Sequence, residues 1–390
     1  MQVYDLNEFL RLSAALNYQL SAAAIGRESV LATIIGSKSL PPTAKKLLME
    51  ALEYLEMAYA PKRRRLGPMA ILHPLRATAL LARTSPELNV VDLLSMMLHD
   101  KLEDLTADKY EREYWDLIEQ RFEKFTKRMD EQVRWYLMER IEYLTKKKKD
   151  TYYTYVGRLI KQAVHTPELI RVKLADRLDN TLDMRIEAQD PLEGVDFYQH
   201  IFQLFYVSSY KGYKPAHEHP TPAPMNGAQR MYELFKNVVV LSLIRQQKAV
   251  DHDPVAQELF EAICLAGIRE AQRVVMHIFG FHYEEVSRQR SLLEEVLDYC
   301  RYGGINSITE TNDKHRLDGF IIHRFDHPNS SIRKKQLEAF YADKELVVQV
   351  AVAFIVIFLS FLNNTDFYLQ GISPEGISSL THPLDESVSH

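Results

Sequence analysis

Leu93-Leu94-Ser95-Met96-Met97-Leu98-His99-Asp100-Lys101-Leu102-Glu103-Asp104-Leu105 is the stretch on which the reading of this chain turns. Leu94, Met97, Leu98 and Leu102 recur at helical spacing, so the segment predicts one helix with a face in a core. Glu103 follows His99 by four residues, and Asp104 follows Asp100 by the same step. That spacing puts each pair on one face, a turn apart. Polar groups then crowd about one turn of an otherwise apolar helix. A lone His-Asp dipeptide carries little information, and a lone Glu-Asp pair is most often a solvated face. Buried together, the carboxylates are costly without a cation among them. A divalent metal supplies that charge and keeps its ligands deprotonated.

Upstream lie Arg64-Arg65-Leu66-Gly67 and His73-Pro74. Downstream lie Leu144-Thr145-Lys146 and Lys173-Leu174-Ala175-Asp176-Arg177-Leu178-Asp179-Asn180. Pro74 suits the first turn of a helix that runs on through Leu75, Ala79, Leu80 and Leu81. Asp176 follows Ile170, Val172, Leu174 and Ala175. A histidine and an aspartate among core-forming residues need a partner. Beside His99 and Asp100, His73 and Asp176 complete a site of two nitrogens and two carboxylates with room for water. Open coordination positions are what a catalytic metal requires. The mixed donor set suits manganese, iron or zinc, and affinity order alone does not choose among them. The basic runs Lys62–Arg65 and Lys146–Lys149 are candidates for holding an anionic ligand. Arg64 and Arg65 are the stronger candidates; Lys147 to Lys149 read as solvated surface.

In order and spacing these segments resemble the HD-type hydrolase domain of the RelA/SpoT family. The shared pattern is Arg-x-x-Gly, His-Pro, His-Asp-x-x-Glu-Asp, Thr-Lys and Lys-Leu-Ala-Asp-Arg-Leu-x-Asn, from about Ala44 to Tyr206. The resemblance implies an all-α HD-domain helical bundle. It implies metal ligands at His73, His99, Asp100 and Asp176, with Mn2+ the usual ion and other divalent metals possible. Glu103 and Asp104 match the pair that orients and deprotonates an attacking water. Arg64 matches an arginine stacked on a guanine base, and Arg65 a basic neighbour. Lys146 matches the Thr-Lys lysine on the substrate side, and Asn180 a residue near the ribose. The implied reaction removes pyrophosphate from the 3′ position of guanosine 3′,5′-bispyrophosphate, giving GDP or GTP. Asp179 stands where the family frequently has histidine, and Pro68-Met69-Ala70-Ile71 replaces its Pro-Tyr-Ile run. The family's synthetase pattern is not found downstream, so hydrolysis without synthesis is expected. The alternatives are the same chemistry on another phosphorylated nucleotide and a non-catalytic alarmone sensor. The intact Glu103-Asp104 pair favours the enzyme.

Composition narrows the partners. Lys and Arg number 48 against 53 Asp and Glu, so the chain lacks the basic excess of a general nucleic-acid binder. A small-molecule nucleotide is the expected partner, and a homo-oligomer is open. Cys264 and Cys300 give no disulfide framework, which fits a reducing compartment, the cytoplasm. Met1-Gln2-Val3-Tyr4-Asp5 lacks the basic start and apolar core of a signal peptide. Leu346 to Leu362 approaches the roughly 20 apolar residues of a membrane span. Gln349 and Ser360 interrupt it, so a buried helix is expected, with a membrane anchor as the minor alternative.

Residues 1–40 predict an N-terminal helical segment, with Asp5 as its cap. Residues 41–213 form the expected hydrolase domain, opening with a helix at Pro41-Pro42-Thr43. Residues 214–228 form a proline-rich linker or loop. Residues 229–375 predict a further C-terminal helical domain, from the apolar patterns at Leu234–Ile244, Ala256–Ile278 and Ser291–Tyr302. Arg316 to Ile322 reads as a short strand or turn, and 376–390 as a poorly ordered tail. His217, His219, His323 and His327 sit in proline-broken contexts and are read as incidental or surface residues.

Overall fold

Asp5 caps the first helix as its sequence predicts: its Oδ1 accepts the Asn7 N–H at 2.8 Å. The computed structural model describes residues 5–22, 25–62, 69–184, 227–307, 315–318, 329–363, 372–373 and 376–377. The N-terminal half consists of α1 (Leu6–Ser21), α2 (Arg27–Ile35), α3 (Pro42–Tyr59), α4 (Leu72–Thr84), α5 (Val90–Met97), the one-turn α6 (Lys101–Asp104), α7 (Arg112–Thr126), α8 (Glu131–Leu144), α9 (Tyr152–Ala163) and α10 (Glu168–Leu182). The C-terminal half consists of α11 (Gly227–Gln247), α12 (Pro254–His282), α13 (Val286–Ser307), α14 (Ser330–Ala342) and α15 (Lys344–Asn363). Ile372–Ser373 and Gly376–Ile377 form a two-residue antiparallel ladder. The fold is otherwise all-α among the described residues.

Within residues 1–40, read as a helical segment, the described residues form two helices, because the chain leaves helical conformation at Ala22. Three expectations change. The helix expected across Leu93 to Leu105 is broken between Met97 and Lys101. The linker expected to reach residue 228 gives way to helix at Gly227, within the usual one or two residues of uncertainty at a helix end. Gly376 and Ile377 of the expected tail pair with Ser373 and Ile372. Turn residues occupy 316–318, while Phe320 to Ile322 lie outside the described residues, as do His217, His219, His323, His327 and the linker before Gly227.

Two apolar cores form. One gathers Leu12, Leu16, Leu48, Leu52, Leu75, Leu94, Met97 and Ile118 from α1 to α8. The other joins Leu80, Met96, Leu159, Leu174 and Leu178 to Val239, Leu259, Val274, Val348 and Phe354 of the C-terminal helices. Helices α4 and α5 contribute to both cores. That explains why α4 is buried almost throughout, an apolar helix hemmed in on every side. Helix α10 packs on α12 and on α4, so the C-terminal helices lie directly against the segment that carries Asp176.

The apolar run at Leu346 to Leu362 is a buried helix, as expected. Val348, Val350, Ala351, Val352 and Ala353 of α15 are all fully buried. Its close approach to α12 depends on Gly267, where a Cβ would meet Leu362 Cδ1 at 3.0 Å. Among the described residues no helix is long and apolar enough to cross a membrane.

Because one core spans both halves, they should unfold together. Leu259→Ala empties a fully buried position on α12 and should cost about 2–5 kcal/mol. Denaturant melts followed by Trp115 and Trp135 fluorescence and by far-ultraviolet dichroism should shift by the same amount. Separate transitions would show that the halves are independent.

Candidate metal centre

The helix break creates the site. In an unbroken helix the Met96 carbonyl would accept the Asp100 N–H; here His99 Nδ1 donates to it at 2.8 Å. Leu98 and Asp100 both take the bridge conformation near ψ 5°, with φ −109° and −90°. The imidazole thus competes with the helix ladder for a carbonyl, and the chain turns so that His99 and Asp100 face inward together. Lys101 is buried by the same turn, with Nζ 3.0 Å from Glu119 Oε1 and over the Phe122 ring.

His73, in the first turn of α4, meets them. His73 Nε2 lies 3.2 Å from His99 Nε2. Asp176 Oδ1, from α10, is 3.4 Å from His73 Nε2 and 3.7 Å from His99 Nε2. Asp100 closes the cluster, with Oδ1 3.1 Å from His99 Nε2 and Oδ2 3.4 Å from His73 Nε2. His73, His99 and Asp176 are buried and form a group that could hold a metal ion. All four residues expected from the sequence are brought together.

The tautomers follow from the partners. His73 Nδ1 lies 2.6 Å from Asp179 Oδ2, and an ionised carboxylate only accepts. His99 Nδ1 meets a carbonyl oxygen, which also only accepts. Both Nδ1 atoms therefore carry the proton, and in neutral rings both Nε2 lone pairs point at each other and at carboxylate oxygens. Four electron-pair donors converge with no hydrogen among them. A cation fits this donor set, and the Nδ1 partners fix the rings as they do around bound metals. Without one, a proton takes its place. Burial opposes a charged His99, yet the Asp100 and Asp176 carboxylates outweigh it and raise its pKa to about 9. Asp176 is held well below the usual carboxylate range; burial opposes this, but Lys173 and the two histidines prevail.

Several side chains that hold the site were not singled out from sequence. Asp179 is fully buried and receives Arg76 Nε on Oδ1 at 2.8 Å and Arg76 Nη2 on Oδ2 at 3.1 Å. Arg76 also bonds Ser13 Oγ and pairs with Asp183. Lys173 Nζ lies 2.7 Å from Asp176 Oδ2, on the oxygen not turned to the histidines. An arginine three residues after His73 in an apolar helix was the available signal, since a buried guanidinium needs a carboxylate.

The remaining expected residues divide. Glu103 Oε1 accepts the Lys146 main-chain N–H at 2.5 Å, which pins the α8–α9 connection to the cluster, while the Lys146 side chain is exposed. Lost solvation pushes the Glu103 carboxyl above its ordinary value, with Asp100 and Asp176 adding to it. Asp104 is raised the same way, by lost solvation and then by Asp100. Lys62 Nζ donates to the Asp104 carbonyl. Asn180 Nδ2 donates to Asp176 Oδ1 at 2.6 Å, so it orients the carboxylate. Arg64 and Arg65 lie outside the described residues. No protein-family model, curated protein or solved structure matches the chain.

The Asp179 pair gives two expectations. Burial opposes the charged carboxyl, but Arg76 and His73 pull its pKa down to about 2. The folded state therefore resists protonation more than the unfolded chain does. Its contribution of roughly 2 kcal/mol is complete above about pH 4 and is lost as pH falls through about 2. Asp179→Ala leaves Arg76 charged and buried, and should cost about 3 kcal/mol or more at neutral pH. Urea unfolding at pH 7 and pH 2.5 measures both: the mutant's deficit should shrink in acid, and an equal deficit at both would reject the assignment.

Proposed function

We propose that this chain is a divalent-metal-dependent phosphohydrolase that removes the 3′-pyrophosphate of guanosine 3′,5′-bispyrophosphate. The observation that carries the reading is the convergence of His73, His99, Asp100 and Asp176 with the Glu103-Asp104 carboxylates alongside. The four residues would hold the cation, and manganese is the ion that the family resemblance names. A divalent ion held there supplies Lewis acidity and acidifies water toward neutral pH. The chain's own residues do the rest. Lys173 and Asn180 hold Asp176, and Asp179 holds His73, so the donor atoms are set before substrate arrives.

Glu103 and Asp104 accept the proton of the attacking water and hold it in line. Their pKa values are raised above the ordinary range, which makes them stronger bases than a solvated carboxylate. Water adds to phosphorus, the bond to the ribose 3′ oxygen breaks, and the 3′ oxygen leaves with a proton. The Lys146 amide fixes Glu103, so Asp104 is the freer of the two to take the proton. Arg64 and Arg65 are the proposed contacts to the base. The raised pair favours turnover over passive nucleotide sensing, for which two poised bases have no use.

Purified protein with manganese should release pyrophosphate from guanosine 3′,5′-bispyrophosphate. Asp104→Ala should lower kcat by about 100-fold or more while manganese affinity holds. Turnover by the mutant equal to that of the intact chain would reject the proton-accepting role. A panel of other phosphorylated nucleotides tests the base preference, and chelation of the metal should abolish turnover on all of them.

A further inference from the structure

The connection between α8 and α9, residues 145–150, is a short turn held at both ends. Helix α8 ends at Leu144, so its last carbonyls lack partners within the helix. Side chains from α9 take two carbonyls here. The Tyr155 hydroxyl donates to the Leu144 carbonyl at 2.5 Å, and Arg158 Nη2 donates to the Thr145 carbonyl at 3.0 Å. The same nitrogen lies 2.7 Å from Asp150 Oδ2. One guanidinium nitrogen therefore brackets the start and the end of the turn. Asp150 also folds the turn from within. Its Oδ2 accepts the Lys147 N–H at 2.9 Å, and its own N–H donates to the Lys147 carbonyl at 2.9 Å. Bonds that carry a charge are the stronger kind, and this one spans the whole turn.

Lys146 lies inside the bracket. Its N–H is the one that Glu103 Oε1 accepts, so the turn reaches the proposed water-activating pair through a main-chain atom. The Lys146 side chain is exposed and makes no ion pair among the described residues, while Lys147 Nζ pairs with Glu142 at 3.3 Å. An ammonium on a fixed backbone has only its own side chain to order when an anion binds. The same ammonium on a loose loop would lose the freedom of the loop as well.

We propose that Arg158 is a positioning residue for the hydrolysis: with Asp150 it sets the 145–150 turn so that the Lys146 amide fixes Glu103 while the Lys146 ammonium meets the phosphates of the nucleotide. The inference rests on the phosphohydrolase reading for its substrate. Arg158 acts through Lys146 and not on the nucleotide. Loss of the bracket therefore has two consequences, a weaker hold on the phosphates and a Glu103 that is no longer fixed.

Steady-state kinetics of the full-length chain with manganese and guanosine 3′,5′-bispyrophosphate test this. Lys146→Ala keeps the amide and should raise KM roughly tenfold with kcat within about threefold. Arg158→Gln should raise KM by a similar factor and also lower kcat roughly tenfold, because Glu103 is released. Arg158→Lys should stay within about threefold of the intact chain in both, since one ammonium has hydrogens for both bonds. Adding Lys146→Ala to Arg158→Gln should raise KM no more than about twofold further. Unchanged kinetics in Arg158→Gln, multiplied KM effects in the double variant, or an Arg158→Lys no better than Arg158→Gln each overturn the assignment. If Arg158→Gln does not fold, Asp150→Ala at the other end of the bracket should raise KM and lower kcat together, and unchanged kinetics there overturn it. Amide hydrogen exchange across 145–150 should quicken roughly tenfold in Arg158→Gln while α8 and α9 hold; equal exchange overturns the bracket. That measurement needs no substrate. An intact chain without turnover, with the exchange contrast present, overturns the hydrolase reading and keeps the bracket; turnover without an Arg158 contrast does the reverse.

Discussion

Two imidazole lone pairs facing each other across 3.2 Å, with carboxylate oxygens beside them, are the constraint on which the site depends. Nothing in that arrangement attracts unless positive charge lies inside it. The rings cannot turn away, because each Nδ1 is tied to an acceptor, Asp179 for one and the Met96 carbonyl for the other. Asp179 cannot move either, since Arg76 holds both its oxygens and is itself tied to Ser13 and Asp183. The donors are thus fixed in an arrangement that could hold an ion, and the arrangement itself is stabilised from behind. Preorganised ligands bind without the cost of ordering them.

The residues of this cluster were legible in sequence, but not for the local reason first apparent. Spacing by four implied one helix bearing His99, Asp100, Glu103 and Asp104 on a shared face. The helix instead breaks between Met97 and Lys101, and the break is what turns His99 and Asp100 inward. Periodicity counts apolar positions and is blind to a side chain that takes a backbone carbonyl from the ladder. The helical class, the Asp5 cap and the buried run at Leu346 to Leu362 were all readable, because each rests on local pattern. Asp179 and Lys173 were visible as residues but silent as to role. Their partners are Arg76, which is far away in sequence, and a carboxylate whose orientation only the packed fold decides. Asn180 shows the same limit, since its bond to Asp176 Oδ1 depends on the rotamer of a neighbour one turn away.

Helix α10 explains why the C-terminal half must be present for the site to exist in this form. Its polar residues point in three directions, and each finds a different partner. Arg171 meets Asp253, which caps α12, and reaches Asp92 of α5, where Arg140 of α8 also binds. Asp176 and Asp179 meet His73 and Arg76 of α4. Arg177 and Thr181 meet Glu233 and Asn237 of α11. Buried pairs of this kind add little net stability over apolar packing, but removing one partner is expensive. A one-residue slide of α10 would strand several of these charges at once, so the helix has a single tolerable register. That register sets Asp176 Oδ1 against the two histidines. The charge networks running from α10 into α11 and α12 therefore act on the His73, His99, Asp100 and Asp176 cluster without touching it: they fix where its most deeply held carboxylate stands.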